Sequence, residues 1–299
     1  MASTFLHNTI WYILLGISSV ISIVLTLYKS KNRGFTIAFM LALLHLTLLV
    51  ELGLVGISGA YQYSPKLFKD SFLDTFFGNY FSQVSITTTC VVAAVYKLGF
   101  KWYLAFAVVY YLIEEAFLKL GIYKHNWYHT WFTFAGIILL LCLTKKWYYK
   151  VLQSPSPYIY YLTLFWGAWT AIGNCIIMWY YLASIQTYNI HFFPEYYRNQ
   201  MIGSTLDTKV LMLTIFLLYL WKVNWKWKGT GFVCLFVSRY LLYRAGIIHY
   251  MAGWFFFVAA SQLIGGYFWL AMIDYLLSKG TSTKSFITSF IRKYKLIKP

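Results

Sequence analysis

The chain has 299 residues, of which 60% are hydrophobic, 22% aromatic and only 11% charged, with a formal net charge of +17. An ordinary soluble domain carries about a quarter of its residues as charges, so this composition excludes one and gives the apolar side chains lipid to face. The basic excess does not point to nucleic acid either, because Lys and Arg gather at the ends of apolar runs and form no single stripe with readable spacing.

In chain order, spans are predicted at about 10–28, 35–59, 80–96, 102–121, 131–144, 158–183, 208–221, 230–248 and 254–277. The longest runs, at about 1.5 Å of rise per residue, cross roughly 30 Å of hydrocarbon. No basic stretch precedes Ile10, whereas Lys29, Lys31 and Arg33 follow the first run, as expected of a retained helix with its N-terminus outside. With that orientation the inner segments hold 17 of the 25 basic residues, which selects N-out, C-in. The expected fold is an all-α polytopic membrane bundle of nine transmembrane helices.

Ser64-Pro65 and Phe193-Pro194 each lead into aromatic, charged segments, which predicts short helices on the outer surface. Each segment then feeds a span through the same tripeptide, Leu73-Asp74-Thr75 and Leu206-Asp207-Thr208. Residues 101–122 also match 226–247 without gaps, with Lys101/Lys226, Trp102/Trp227, Val108/Val233, Gly121/Gly246 and Ile122/Ile247 identical. These features predict a parallel repeat of four spans preceded by one extra helix, the halves being 1–152 and 153–299 and the joint QSPSP at 153–157. In the tail, Phe286, Ile287, Phe290, Ile291 and Tyr294 share a stripe beside basic residues, which predicts an interfacial helix on anionic inner-leaflet lipids.

Charges inside spans are costly and face the protein interior with a partner. Glu114 and Glu115 fall near mid-span, with Lys119 one turn beyond Glu115, and the repeat aligns Glu114 with Arg239 and Lys119 with Arg244. The expectation is that Arg239 bridges Glu114 or Glu115 across the two halves. Glu51 stands unpaired toward the outer third of its span, which makes it a candidate proton or cation site. Glu51, Glu114, Glu115, Lys119, Arg239 and Arg244 are thus the candidate substrate or ion-binding residues. His45, Gln83, Thr87 to Thr89, Asn174 and Gln262 are further polar groups within spans.

Cys90, Cys142, Cys175 and Cys234 fall singly within spans and supply neither a disulfide framework nor a CxxC metal site. His125 and His129 have a spacing that suits one metal ion, but no third ligand lies nearby, and no cofactor is implied. Glu114-Glu115-x-x-x-Lys119 resembles the EExxxR element of membrane-embedded CAAX-type proteases, yet Lys replaces Arg and no later FxxxH or HxxxN follows. Catalysis by the carboxylates with these histidines is disfavoured by depth: the acids belong mid-bilayer, the histidines at the outer face.

LLVELGLV (48–55), FLDTFFGNYF (72–81) and YYLIEEAFLKLGIYKHNWYHTWFT (110–133) together resemble an uncharacterised family of small multi-pass membrane proteins from Bacillus and Clostridium relatives. The resemblance covers 10–150 and implies a bacterial plasma-membrane protein; it supplies no activity. Its acidic and aromatic positions correspond here to Glu51, Glu114, Glu115, Trp127 and Trp131. Two functions remain open: a transporter- or permease-like protein with a charged midplane site, and a non-transporting sensor, scaffold or lipid-interacting protein. The partner is the lipid bilayer, with a small molecule, ion or lipid as ligand; oligomeric state is left open.

Overall fold

A computed structural model describes residues 8–153, 155–220 and 224–281. Among the described residues there are nine helices: α1 (Ile10–Lys29), α2 (Arg33–Ile57), α3 (Ser71–Val95), α4 (Phe100–Lys119), α5 (Thr130–Gln153), α6 (Pro157–Leu182), α7 (Tyr196–Leu220), α8 (Trp225–Arg244) and α9 (Phe255–Gly280). Six of them, α1, α2, α5, α6, α7 and α9, are long and apolar enough to cross a membrane. The described residues are mainly helical, of the all-α class, and make the chain an integral membrane protein. The predicted tail helix at 286–294 and Ser154 of the predicted joint lie outside the described residues.

Local chemistry sets the helix ends. Asp70 caps α3 by accepting from the Leu73 N–H at 2.9 Å, and Ser156 precedes Pro157, which tolerates the first helical position because its missing N–H would have no helical acceptor there. α4 and α8 both stop at a glycine with positive φ, Gly121 at 68° and Gly246 at 72°. In each, the next N–H reaches back five residues, Ile122 to Phe117 O and Ile247 to Leu242 O, both at 3.1 Å, so the last turn closes on itself. The chain then reverses into a strand.

The separate surface helices expected after Pro65 and Pro194 do not form. Ser71 and Tyr196 instead begin α3 and α7, which run unbroken to Val95 and Leu220. The Phe72–Phe81 aromatic segment is therefore the first part of a long helix, stacking Phe72, Phe76 and Tyr80 along one side.

Elements recur at an offset of 125 residues. Strand β1 (Tyr61–Tyr63) pairs antiparallel with β2 (Tyr123–His125), and β3 (Gln186–Tyr188) pairs with β4 (Ile248–Tyr250) in the same register. The flanking bonds repeat too: Ser64 N–H to Ile122 O matches Asn189 N–H to Ile247 O, and Asn126 N–H to Ala60 O matches Met251 N–H to Ile185 O, all at 2.9 Å. Asp74 Oδ1 accepts from the Leu67 and Phe68 amides, while Asn199 Oδ1 accepts from those of Phe192 and Phe193. The structural counterpart of Asp74 is accordingly Asn199, and the second Leu-Asp-Thr sits about two turns further along α7. That tripeptide match is a coincidence of composition.

The equivalent helices α2 and α6 pack against each other, α9 packs on both, and α1 lies to one side on α3. Gly167 allows the α2–α6 approach, since a Cβ there would sit 3.1 Å from Ala38 O. Gly265 and Gly266 lie within regular helix and admit the side chains of Ile176 and Ile215. The wide π-helical turns fall at Leu52–Ile57 and Gly173–Ile177. Arg198 of α7 ties off the first of these: its Nε donates to Gly56 O at 2.9 Å and its Nη2 to Ile57 O at 2.5 Å, with the guanidinium over the Phe193 ring. Arg198→Ala should lower stability by about 1.5–3 kcal/mol, read as a lower unfolding midpoint in mild detergent, and Arg198→Lys should recover only part because it loses the forked donor.

Candidate functional site

A cavity of about 320 Å³ lies within the first half. Its floor is Ser82, Gln83 and Ile86 of α3 with Tyr110, Ile113 and Glu114 of α4; its roof is Tyr61, Tyr63, Tyr123 and Tyr128. The strands place this roof because Gly121 turns the chain back beside the end of α4. Glu51, the last residue before the π-helical turns, enters from α2. The opposite side is apolar, built from Leu46, Val50, Ile137, Leu139, Leu140 and Leu143. Val50 on α2 and Leu139 and Leu143 on α5 also show 52%, 60% and 48% exposure, so the cavity reaches the surface between two helices apolar enough to cross a membrane.

The polar end is densely bonded. Glu51 Oε1 accepts from Tyr61 Oη at 2.5 Å and from Gln83 Nε2 at 2.6 Å, while its Oε2 is buried without a partner. Glu114 Oε1 meets His125 Nε2 at 2.8 Å, and its Oε2 accepts from Thr133 Oγ1 at 2.5 Å. Burial, and after it the Glu51 carboxylate, holds the Tyr61 hydroxyl well above its ordinary value, so it remains a donor. Burial likewise pushes the His125 imidazole below its ordinary value despite the nearby Glu115 carboxylate, which leaves the ring neutral at pH 7 and donating to Glu114. His125 was expected at a different depth from Glu114; the β2 reversal brings them into contact.

The expected bridge between Arg239 and Glu114 or Glu115 is not formed. Arg239 Nη2 donates to Asp207 Oδ2 at 2.6 Å and to Tyr250 Oη at 3.3 Å, all inside the second half. Tyr188 Oη and Gln186 Nε2 donate to the same Asp207 oxygen, and Gln262 Nε2 donates to Gln186 Oε1. Each half thus carries its own polar cluster under its own strand pair. Equivalent helices placed Glu114 and Arg239 at equivalent depths, but depth alone does not bring two side chains together.

Helix geometry separates the other candidates. Neighbours on a helix point about 100° apart, so Glu114 turns inward while Glu115 is half-buried beside the cavity wall. Lys119, one turn beyond Glu115, shares its side and is exposed, as is Arg244 at the end of α8. Neither basic group reaches a cluster. Tyr61, Thr133 and Asp207 were not legible as members of these clusters, since their partners Glu51, Glu114 and Arg239 lie on other elements and meet them only once the chain has reversed. Nor was Asp274 legible, which accepts from Tyr160 Oη at 2.7 Å and Tyr219 Oη at 2.8 Å near the basic end of the bundle.

A smaller chamber of about 150 Å³ lies between the halves, bounded by His45, Asn79, Trp169, Thr170, Asn174 and Thr208. It brings together two polar residues singled out in spans, His45 and Asn174, and His45 packs its ring 4.2 Å from that of Trp169. Among the described residues no group of three or more His, Cys, Asp or Glu is placed to hold a metal ion. Comparison with protein-family models, with curated proteins and with solved structures finds no match to the chain.

Proposed function

We propose that this integral membrane protein binds an amphiphilic molecule drawn from the bilayer, with the polar end under the β1–β2 strands and the apolar part in the sideways mouth. The cavity carries this reading: its volume lies within the range of small-molecule sites, its polar groups converge at one end, and its opening is bordered by lipid-facing side chains. The same reading orients all nine helices across the bilayer as two parallel repeats of four plus α1, with the N-terminus outside and the basic connections inside. The membrane is that of a bacterial cell, as the resemblance over 10–150 implies.

Gly136 provides the test. It sits exposed at the mouth, and a Cβ there would meet nothing within 4 Å, so Gly136→Phe fills the opening without pressing on backbone. A photoactivatable alkyl amphiphile in lipid nanodiscs should label α5 around Leu139–Leu143 in the parent protein. The variant should lose that labelling and keep its unfolding temperature. Labelling spread evenly over all lipid-facing helices, unaffected by the variant, would count against an amphiphile site.

Transport is the second reading, favoured by the chamber between the halves and by the π-helical turns that interrupt α2 and α6 on either side of it. It requires aqueous access that changes with state. Cysteine substituted for Thr205, which borders the chamber, would then be labelled by aqueous thiol reagent in one condition and protected in another. Constant protection would leave binding without translocation.

A further inference from the structure

We infer that the amphiphile carries a cationic headgroup, an alkylguanidinium or alkylammonium, seated between Glu51 and Glu114; this rests on the amphiphile reading above and names the class of its ligand. The observation behind it is internal to the molecule. At the 125-residue offset, Glu114 corresponds to Arg239, Ser82 to Asp207, His125 to Tyr250, Tyr61 to Gln186 and Tyr63 to Tyr188. The second half therefore holds a guanidinium tethered to its own α8, gripped by a carboxylate and a tyrosine hydroxyl beneath the strand pair.

In the first half the same location has no tethered cation. It has two carboxylates, Glu51 at 5% exposure and Glu114 at 9%, and no Lys or Arg lines the cavity. One carboxylate oxygen, Glu51 Oε2, is buried without a hydrogen-bond partner in a residue that lines the cavity. A buried acceptor left in this way is costly, and a charged N–H donor is the group that offsets it best. The neutral His125 imidazole does not supply that charge. Around the carboxylates the four tyrosine rings pack with centroids 4.7–5.1 Å apart, presenting aromatic surface of the kind that attracts cations. An anionic headgroup would meet two acids and no base. A neutral hydroxyl would bring no charged N–H donor to Glu51 Oε2.

Equilibrium binding of dodecylguanidine, dodecylamine, dodecanol and laurate to the full chain in phosphatidylcholine nanodiscs, corrected with empty discs, tests the assignment. The two cations should bind saturably and at least about tenfold more tightly than dodecanol, with laurate weakest. Glu51→Gln keeps the shape and the acceptor for Tyr61 but cannot carry a negative charge, so it should weaken cation binding about tenfold or more and erase most of the preference over dodecanol. The unfolding temperature of the variant reports whether it is folded; if it is not, the comparison of the four amphiphiles on the parent protein decides alone. Dodecanol or laurate binding as tightly as the cations would overturn the cationic assignment while sustaining the amphiphile site. Saturable binding of none of the four would overturn both.

Discussion

Asp207→Ala is expected to destabilise the protein by roughly 3–5 kcal/mol, seen as a large fall in the unfolding midpoint in mild detergent. Arg239 is only 2% exposed, and its Nε and Nη1 already lack hydrogen-bond partners, so Asp207 supplies most of what holds the charge in place. Removing it leaves a guanidinium in a low-dielectric interior with Tyr250 Oη as a weak acceptor at 3.3 Å. Asp207→Asn should fall between, since the amide oxygen still accepts but carries no charge. The double variant Asp207→Leu, Arg239→Met should recover most of the loss, because exchanging a buried ion pair for apolar groups of similar size is often neutral. A double variant as unstable as Asp207→Ala would show that Asp207 acts through its tyrosine and glutamine neighbours and not through the arginine.

The helices were legible because long apolar runs bounded by basic residues leave few alternatives in a bilayer, and each predicted span falls on one of the nine described helices, of which six are long and apolar enough to cross. Their ends were less so. α3 and α7 extend about nine and twelve residues before the predicted starts, because aromatic and polar residues such as Phe72, Asn79 and Gln200 read as surface while the folded chain buries several of them among neighbouring helices. The 125-residue offset was visible in five identities, and it gave Glu114 and Arg239 as equivalents. What it did not reveal is that each half closes on itself. That outcome depends on the four three-residue strands, which are too short to register as a period, and on Gly121 and Gly246, whose positive φ reverses the chain. Once the reversal is made, His125 falls beside Glu114 and Tyr250 beside Arg239 without any further signal in the sequence.

Placing the second half's solution into the first should abolish ligand binding. In a chain carrying Ser82→Asp and Glu114→Arg, the new guanidinium starts from the position equivalent to Arg239 and finds an introduced carboxylate at the position equivalent to Asp207, a pair that meets at 2.6 Å in the second half. Glu51 Oε2, without a partner in the parent protein, lies within the same cavity and becomes a second acceptor. Cationic amphiphile binding should then fall by at least about tenfold, or 1.4 kcal/mol, because the site already contains its cation. Stability should hold, since the added charge arrives with its partner and does not repeat the unpaired guanidinium of Asp207→Ala. Glu114→Arg alone is expected to bind as poorly as the pair but to be less stable. The reverse exchange, Asp207→Ser with Arg239→Glu, removes the tethered cation yet should not create an equal site, because Ile176 stands at the position equivalent to Glu51 and offers no second carboxylate. Undiminished binding to a folded Ser82→Asp, Glu114→Arg protein would place the ligand away from the Glu51–Glu114 cavity.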